Sequence, residues 1–474
     1  MENSSRPPNI ILLLTDDQRH DTIAALGASD AQTPQMDQLV QRGTAWTRCH
    51  IQGGLVGAVC CPSRAMLHSG QHLMQLCQRG KRIPAEHALL GEALRRRGYH
   101  CFHTGKWHNG SEAFARSFDD GAEIFFGGMD DHWNVPACDF DPSGVYDGRL
   151  PRCPQPGKGK AVRWVVGDHV HAGVHSTDLF ADASCRFIDS RRDAGEPFFL
   201  SCAFMAPHDP RIMPERFARS HRPEAQQLAP NCWPGHPFDN GELQIRDELL
   251  ASFPRRPAEI REHLADYRAM ISHLDEAIGR IITSLAAIGE LDHSIILLAG
   301  DNGLALGQHG LMGKQNLYDH SLRVPLIMAG PGIPIGERRE QLCYLHDAMP
   351  TLLDLAGATP PADIGGRSLL PALHDGAAPH RSHLHHAYRD CQRSVTDGRY
   401  KLIAYAVAGQ ARFQLFDLQA DPWEMDDRFD DQTLVDQRSS LIAQLQDWRQ
   451  SPLDDHLDEG TRFWNTVAPA LAAC

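Results

Sequence analysis

The stretch NIILLLTDDQ, residues 9–18, is a short apolar run that stops abruptly on two aspartates. A run this short and this continuously apolar reads as a strand buried on both faces. Four others match it: HCFHTG at 100–105, PFFLSCAFMA at 197–206, SIILLAG at 294–300 and VPLIMAG at 324–330. Helical patterns lie between some of them. TPQMDQLVQRG reads as a helix ending at Gly43, EHALLGEALRRRG as one ending at Gly98, and DYRAMISHLDEAIGRIITSLAAIG as a long amphipathic one. Strands alternating with helices predict an α/β fold, its mostly parallel sheet flanked by helices.

The polar residues fall at the ends of these runs. The first is followed by Asp16 and Asp17, the second by Lys106 and His108, the third by His208, and the fourth by Asp301 and Asn302. Ligands of open α/β sheets bind beyond the carboxyl ends of the strands. Any one of these residues alone reads as a turn former or a helix cap. Four ends in agreement read as a site. Asp16, Asp17, Asp301 and Asn302 form an oxygen-only set, which suits Ca²⁺ or Mg²⁺ rather than zinc or copper.

AVCCPSRAMLHSG, residues 58–70, adds two neighbouring cysteines at the mouth of a helix. Pro62 fits a first helical turn, and SRAMLHSG carries the helix to Gly70. Cys60 is then expected at the positive helix end, where anions and thiolates are stabilised, with Arg64 one turn in. Residue types alone leave open whether Cys60 is a thiolate nucleophile, since an oxygen-bound hard cation is a poor partner for sulfur.

At this point the motifs resemble those of a family. CCPSRAMLHSG resembles the first sulfatase signature and GYHCFHTGKWHNG (98–110) the second. LLLTDDQ (12–18), FMAPHDP (204–210), GDNGLALGQHGLMGKQNLYDHSLRVPLI (300–327), HDAMPTLLDLAG (346–357) and LFDLQADPWE (415–424) resemble its further landmarks in the right order. The resemblance runs from Asn9 to Glu424 and implies an alkaline-phosphatase-like fold. It implies that a maturation enzyme converts Cys60 to formylglycine, with Cys61 a small packing residue. The implied metal ligands, for Ca²⁺ or alternatively Mg²⁺, are Asp16, Asp17, Asp301, Asn302 and modified Cys60. Arg64 and Lys106 are implied to hold the formylglycine hydrate, His108 to act on its second hydroxyl, and His208 and Lys314 to bind the sulfate and its bridging oxygen. The reaction the resemblance implies has one hydroxyl attack sulfur in line, His208 protonate the departing alcohol, and the second hydroxyl expel sulfate. Ser69 and Cys61 depart from the commoner residues at their positions without touching this chemistry.

The chain has 474 residues, 42% of them apolar, and a formal net charge of −14. That charge opposes a nucleic-acid partner without excluding a small anionic substrate, which sees only its local field. The 13 cysteines contain no Cys-x-x-Cys pair, so neither a disulfide framework nor a cysteine zinc site is expected. No apolar run is long enough to span a bilayer, and MENSSRPPNI lacks the pattern of a secretory leader, so a cytoplasmic location is expected, with a secreted or periplasmic one the alternative if a leader has been removed. The sequon Asn109-Gly110-Ser111 abuts His108 and is read as unused. From about Asp375 the character changes: HDGAAPHRSH reads as a linker, QRSVTDGRYKLIAYAV and RFQLFDL as strands of a small antiparallel sheet, and DQRSSLIAQLQDWRQ as a closing helix. The expected division is a catalytic α/β domain over 1–375 and a smaller antiparallel α+β subdomain over 376–474.

The expected substrate is a sulfated carbohydrate. Arg211 follows His208 closely, GGMDDHWNVP supplies His132 and Trp133, and AYRD supplies Tyr388 and Arg389. Aromatic side chains can stack on sugar faces and arginines can bind further anionic groups. The rival readings are a phosphonate or phosphate ester hydrolase on the same site and a non-catalytic glycan-binding relative. The sequence leaves the oligomeric state open.

Overall fold

The computed structural model describes residues 6–28, 30–153, 161–450 and 454–472. Its larger sheet has eight strands: β1 Asn9–Thr15, β2 Gly43–Trp46, β3 His100–Lys106, β4 Asp120–Phe125, β5 Phe198–Ala203, β6 Ser294–Gly300, β7 Leu326–Ala329 and β8 Glu337–Arg339. Their order across the sheet is β8-β2-β7-β6-β1-β5-β3-β4. The core strands β6, β1, β5, β3 and β4 are mutually parallel. All seven residues of β1 are buried. Alternation along it sends Ile10, Leu12 and Leu14 into one apolar cluster and Ile11 and Leu13 into another.

Helices cover both clusters. On the first face lies α1, Cys60–Ser69, with Ala65, Met66 and Leu67 in the cluster. On the second lies α2, Pro257–Ala287, through Ile271, Leu274, Ile278 and Ile281. The sequence places the start of this long helix nine residues too late, and the helix expected over 86–98 narrows to Leu90–Arg96.

One strand runs against expectation. VPLIMAG, read as parallel, becomes β7, which is antiparallel to both β6 and β2. A parallel return needs a crossover across a sheet face. Residues 301–325 carry only one four-residue helix, Asp319–Leu322. The chain therefore turns back at the carboxyl edge instead of crossing.

The C-terminal strands β9 Leu384–Tyr388, β10 Gln392–Thr396, β11 Tyr400–Val407 and β12 Gln410–Asp417 form the small antiparallel sheet. Its last member is Gly53–Gly54, just ahead of α1, paired in parallel with Ala387 and Tyr388. The closing helix is Val435–Gln450, and a further helix, Asp458–Leu471, follows it. Among the described residues no helix is long and apolar enough to cross a membrane.

Gly53 makes this seam possible. Its φ is +97°, and a Cβ there would lie 2.1 Å from the Ala387 carbonyl oxygen. Gly53→Ala is expected to destabilise the fold by more than about 1 kcal/mol, since both strain and contact oppose it. Urea unfolding checks this, and unchanged stability would contradict the seam.

Candidate active site

The parallel register builds the site. Thr15 pairs with Gly300 at the ends of β1 and β6, so the next residues meet. The Asp301 amide donates to the Thr15 carbonyl at 3.0 Å, and the Asp17 amide donates to Asp301 Oδ1 at 3.2 Å. Lys106 closes β3 in the same layer. It follows Gly105, at φ +92°, where a Cβ would lie 2.1 Å from the Ala203 carbonyl oxygen.

Arg64 ties these ends together. From the first turns of α1 it donates through Nε to Asp301 Oδ2 at 2.7 Å and through a terminal nitrogen to the Lys106 carbonyl at 2.7 Å. It also lies 3.6 Å from Asp16 Oδ2. Lys106 pairs with Asp16, and Lys314 pairs with Asp17. Asn302 Nδ2 donates to Asp17 Oδ1 at 2.7 Å. All these side chains are buried.

The electrostatics follow from burial and crowding. Burial alone would raise the Asp16 carboxyl, but Lys106, His208 and Arg64 hold it well below the usual carboxylate range. Asp301 is pushed up to about 6 by burial and by the Asp16 charge. The His108 imidazole is held well below its ordinary range by burial, Lys106 and Arg64, and stays neutral. Burial also raises the Cys60 thiol despite Lys106 and Lys314. Burial thus disfavours a Cys60 thiolate.

Cys60 Sγ lies 3.6 Å from His108 Nδ1 and 3.7 Å from Lys106 Nζ. Asp16, Cys60 and Asp301 place potential ligand atoms within 4.8 Å of one another, as do Asp16, Asp17 and His208. Two oxygens here, Asp16 Oδ1 and Asn302 Oδ1, are buried without a hydrogen-bond partner. Orphaned hard oxygens amid carboxylates are what a divalent Ca²⁺- or Mg²⁺-type cation would satisfy, so the residues fit such an ion. Cys61 takes no part; its thiol donates to the Gly80 carbonyl at 3.2 Å. Asn109 is buried and its amide donates to the carbonyls of Cys61 and Gly80, which leaves its sequon no access to a glycan.

Above Cys60 opens a cavity of about 310 Å³. His108, His208, Lys314 and Arg389 are among the residues that line it. Three of the residues expected to touch substrate are elsewhere. Arg211 turns to His263 Nδ1 at 2.9 Å, while the nearby Asp209 is taken by Arg246. His132 bridges Ser176 Oγ and the His208 carbonyl at 2.7 and 3.0 Å, so it supports His208 from behind. Trp133 packs edge-on against His175. The cavity instead adds Glu242, Arg246, Asp247 and Gln315. The first three come from a segment with no strand and only one-turn helices, where no periodicity signals their position.

The "Sulfatase" family model matches residues 8–358, and the model for "N-sulphoglucosamine sulphohydrolase, C-terminal" matches residues 307–451. The N-acetylglucosamine-6-O-sulfatase of Bacteroides thetaiotaomicron is 25% identical over 97% of this chain and 89% of its own. A solved structure in complex with its substrate D-glucosamine-2-N,6-O-disulfate superposes with a TM-score of 0.76 at 22% identity, covering 96% of this chain and 99% of that one. The phosphonate monoester hydrolase of Agrobacterium radiobacter superposes with a TM-score of 0.72 at 23% identity, covering 94% and 96%. At these identities the structural likenesses establish the fold.

Arg64→Ala is expected to cost about 3–5 kcal/mol of stability, because it strands the buried Asp301 carboxylate, whose ion-pair partner it is. Denaturant unfolding in the presence of chelator measures this, and a loss below about 1 kcal/mol would contradict the central position given to Arg64.

Proposed function

The chain belongs to the sulfatase family, and from that premise we propose that this sulfate ester hydrolase acts on a sulfated carbohydrate, with Cys60 matured to formylglycine and one Ca²⁺, or alternatively Mg²⁺, held by Asp16, Asp17, Asp301, Asn302 and residue 60. The observation that carries the reading is the pair of orphaned oxygens on Asp16 and Asn302 beside Cys60. When bound, the cation supplies positive charge that favours an ionised hydroxyl at residue 60 and offsets charge on the sulfate. Formylglycine would supply, as its hydrate, one hydroxyl to attack sulfur as the alcohol departs, and a second that, on losing its proton, would re-form the aldehyde and break the carbon–oxygen bond to the sulfate.

The chain's own residues supply the rest. Lys106 and Lys314 bring ammonium groups to the sulfate oxygens, where charge grows in the transition state. His208 Nδ1 sits 2.7 Å from the Asp209 carbonyl. A carbonyl only accepts, so Nδ1 carries hydrogen, and Nε2 is where the proton for the departing alcohol is held. Nε2 lies 3.8 Å from Asp17 Oδ2. His108, neutral and beside residue 60, takes a proton through Nδ1. Arg64 keeps the Asp16–Asp301 pair in place.

The cavity wall supports the carbohydrate reading. Arg389 pairs with Glu242 at 2.6 Å, Arg246 pairs with Asp209 and Asp247, and the Tyr388 hydroxyl is buried without a partner. Such a wall of mixed sign suits hydroxyls and remote anionic groups. A quaternary ammonium such as choline would favour an aromatic box, and apart from histidines Tyr388 is the aromatic side chain lining this cavity. The phosphonate hydrolase neighbour keeps the rival ester class in view. Turnover of matched aryl sulfate and aryl phosphate decides between them, and faster phosphate hydrolysis would overturn the sulfate reading.

Peptide mass analysis of active enzyme is expected to show formylglycine at residue 60, and Cys60→Ser to be nearly inactive for want of a second hydroxyl. Unmodified cysteine in fully active protein would refute the maturation. Arg389→Ala is expected to lower kcat/KM on a sulfated glucosamine by about ten- to a hundredfold, the worth of a charged hydrogen bond, while sparing a small aryl sulfate. Equal losses on both would remove Arg389 from sugar recognition.

A further inference from the structure

A second cluster of ligand-type side chains lies outside the active site. Between β3 and β4 the register slips: Thr104 faces Ala122 and Gly105 faces Ile124. Glu123 is thus the extra residue of a bulge, at φ +54°. Bulges re-aim side chains, and this one carries the Glu123 carboxylate to two imidazoles. His169 Nε2 lies 2.9 Å from one carboxylate oxygen and His171 Nε2 lies 3.1 Å from the other. His169 begins a two-residue strand paired with Pro136–Ala137. Residues two apart on extended chain share a face, which explains why both rings reach one carboxylate.

Glu123 is buried, with 9% of its side chain exposed, whereas the His171 side chain is 45% exposed. Among the described residues, the ion-pair partners of Glu123 are these two histidines, with no lysine or arginine. Two imidazoles and one carboxylate make a donor set for a borderline transition metal, zinc foremost, unlike the hard oxygens of the catalytic site. The three donor atoms lie within 4.8 Å of one another. The 2.9 and 3.1 Å separations approach the about 3.3 Å between two ligands on one tetrahedral zinc ion. Asp139 Oδ2 stands 3.9 Å from the other ring nitrogen of His169, where a carboxylate would orient a ligating ring. The exposed side of His171 leaves room for water as a fourth ligand.

We propose that Glu123, His169 and His171 bind one Zn²⁺ ion, separate from the catalytic cation. Its position gives it a task. Glu123 lies just ahead of Gly128 and Met129, which line the active-site cavity. An ion bridging β4 to residues 169–171 would fasten the chain just ahead of those two lining residues.

The test uses full-length protein stripped with chelator, reloaded to saturation with Ca²⁺, and titrated with Zn²⁺ by calorimetry. One Zn²⁺ site is expected, together with a rise in unfolding temperature on Zn²⁺ addition. His171→Ala and, as a milder second variant, His169→Gln are expected to weaken Zn²⁺ binding at least about tenfold and to abolish the thermal shift. X-ray absorption at the zinc edge is expected to report imidazole ligation in the wild type. Absence of uptake by the Ca²⁺-saturated wild type would overturn the proposal. So would equal uptake by both variants, which would mark capture by another site and leave the cluster as hydrogen bonds only.

Discussion

The site depends on one buried guanidinium. Arg64 reaches from α1 across the ends of three parallel strands, touching Asp301 just past β6, Asp16 just past β1 and the Lys106 carbonyl at the end of β3. Two carboxylates at the same sheet edge repel, and burial makes that repulsion expensive. Arg64 offsets it and fixes α1, and with it Cys60, relative to the sheet. The position of Cys60, the proposed precursor of the nucleophile, and that of the proposed metal ligands are therefore set by the same contact.

The charges around this contact determine what the site can hold. Asp16, Asp17 and Asp301 are matched by Arg64, Lys106 and Lys314. A divalent cation added to that balance leaves the site positive, as the sulfate of a monoester requires. In the proposed reaction the two lysines that pair with aspartates would be free to turn to the sulfate oxygens. Burial of the whole set keeps these interactions strong by excluding water.

Much of this was legible in the sequence because it is local. Asp16–Asp17 and Asp301–Asn302 directly follow apolar runs, so strand recognition alone places them at one edge. The resemblance joined Cys60, Arg64, Lys106, His108, His208 and Lys314 to them, and the fold brings all of these together. What escaped is non-local. The reversed direction of β7 follows from the lack of a crossover helix in residues 301–325. Glu242, Arg246 and Asp247 reach the cavity from a segment without period or motif. Arg211 looked like a substrate ligand by adjacency to His208, yet it faces His263, while the nearby Asp209 pairs with Arg246. The seam at Gly53–Gly54 joins residues more than three hundred positions apart, and a glycine pair alone does not announce a strand.

The most direct measurement is anomalous diffraction from crystals of the mature enzyme grown with calcium and a sulfate ester analogue. The expected result is one cation peak among Asp16, Asp17, Asp301, Asn302 and residue 60, with the Lys106 and Lys314 ammonium groups moved from the carboxylates onto the sulfate. A catalytically active crystal with no cation there, and with both lysines still paired to Asp16 and Asp17, would contradict this account.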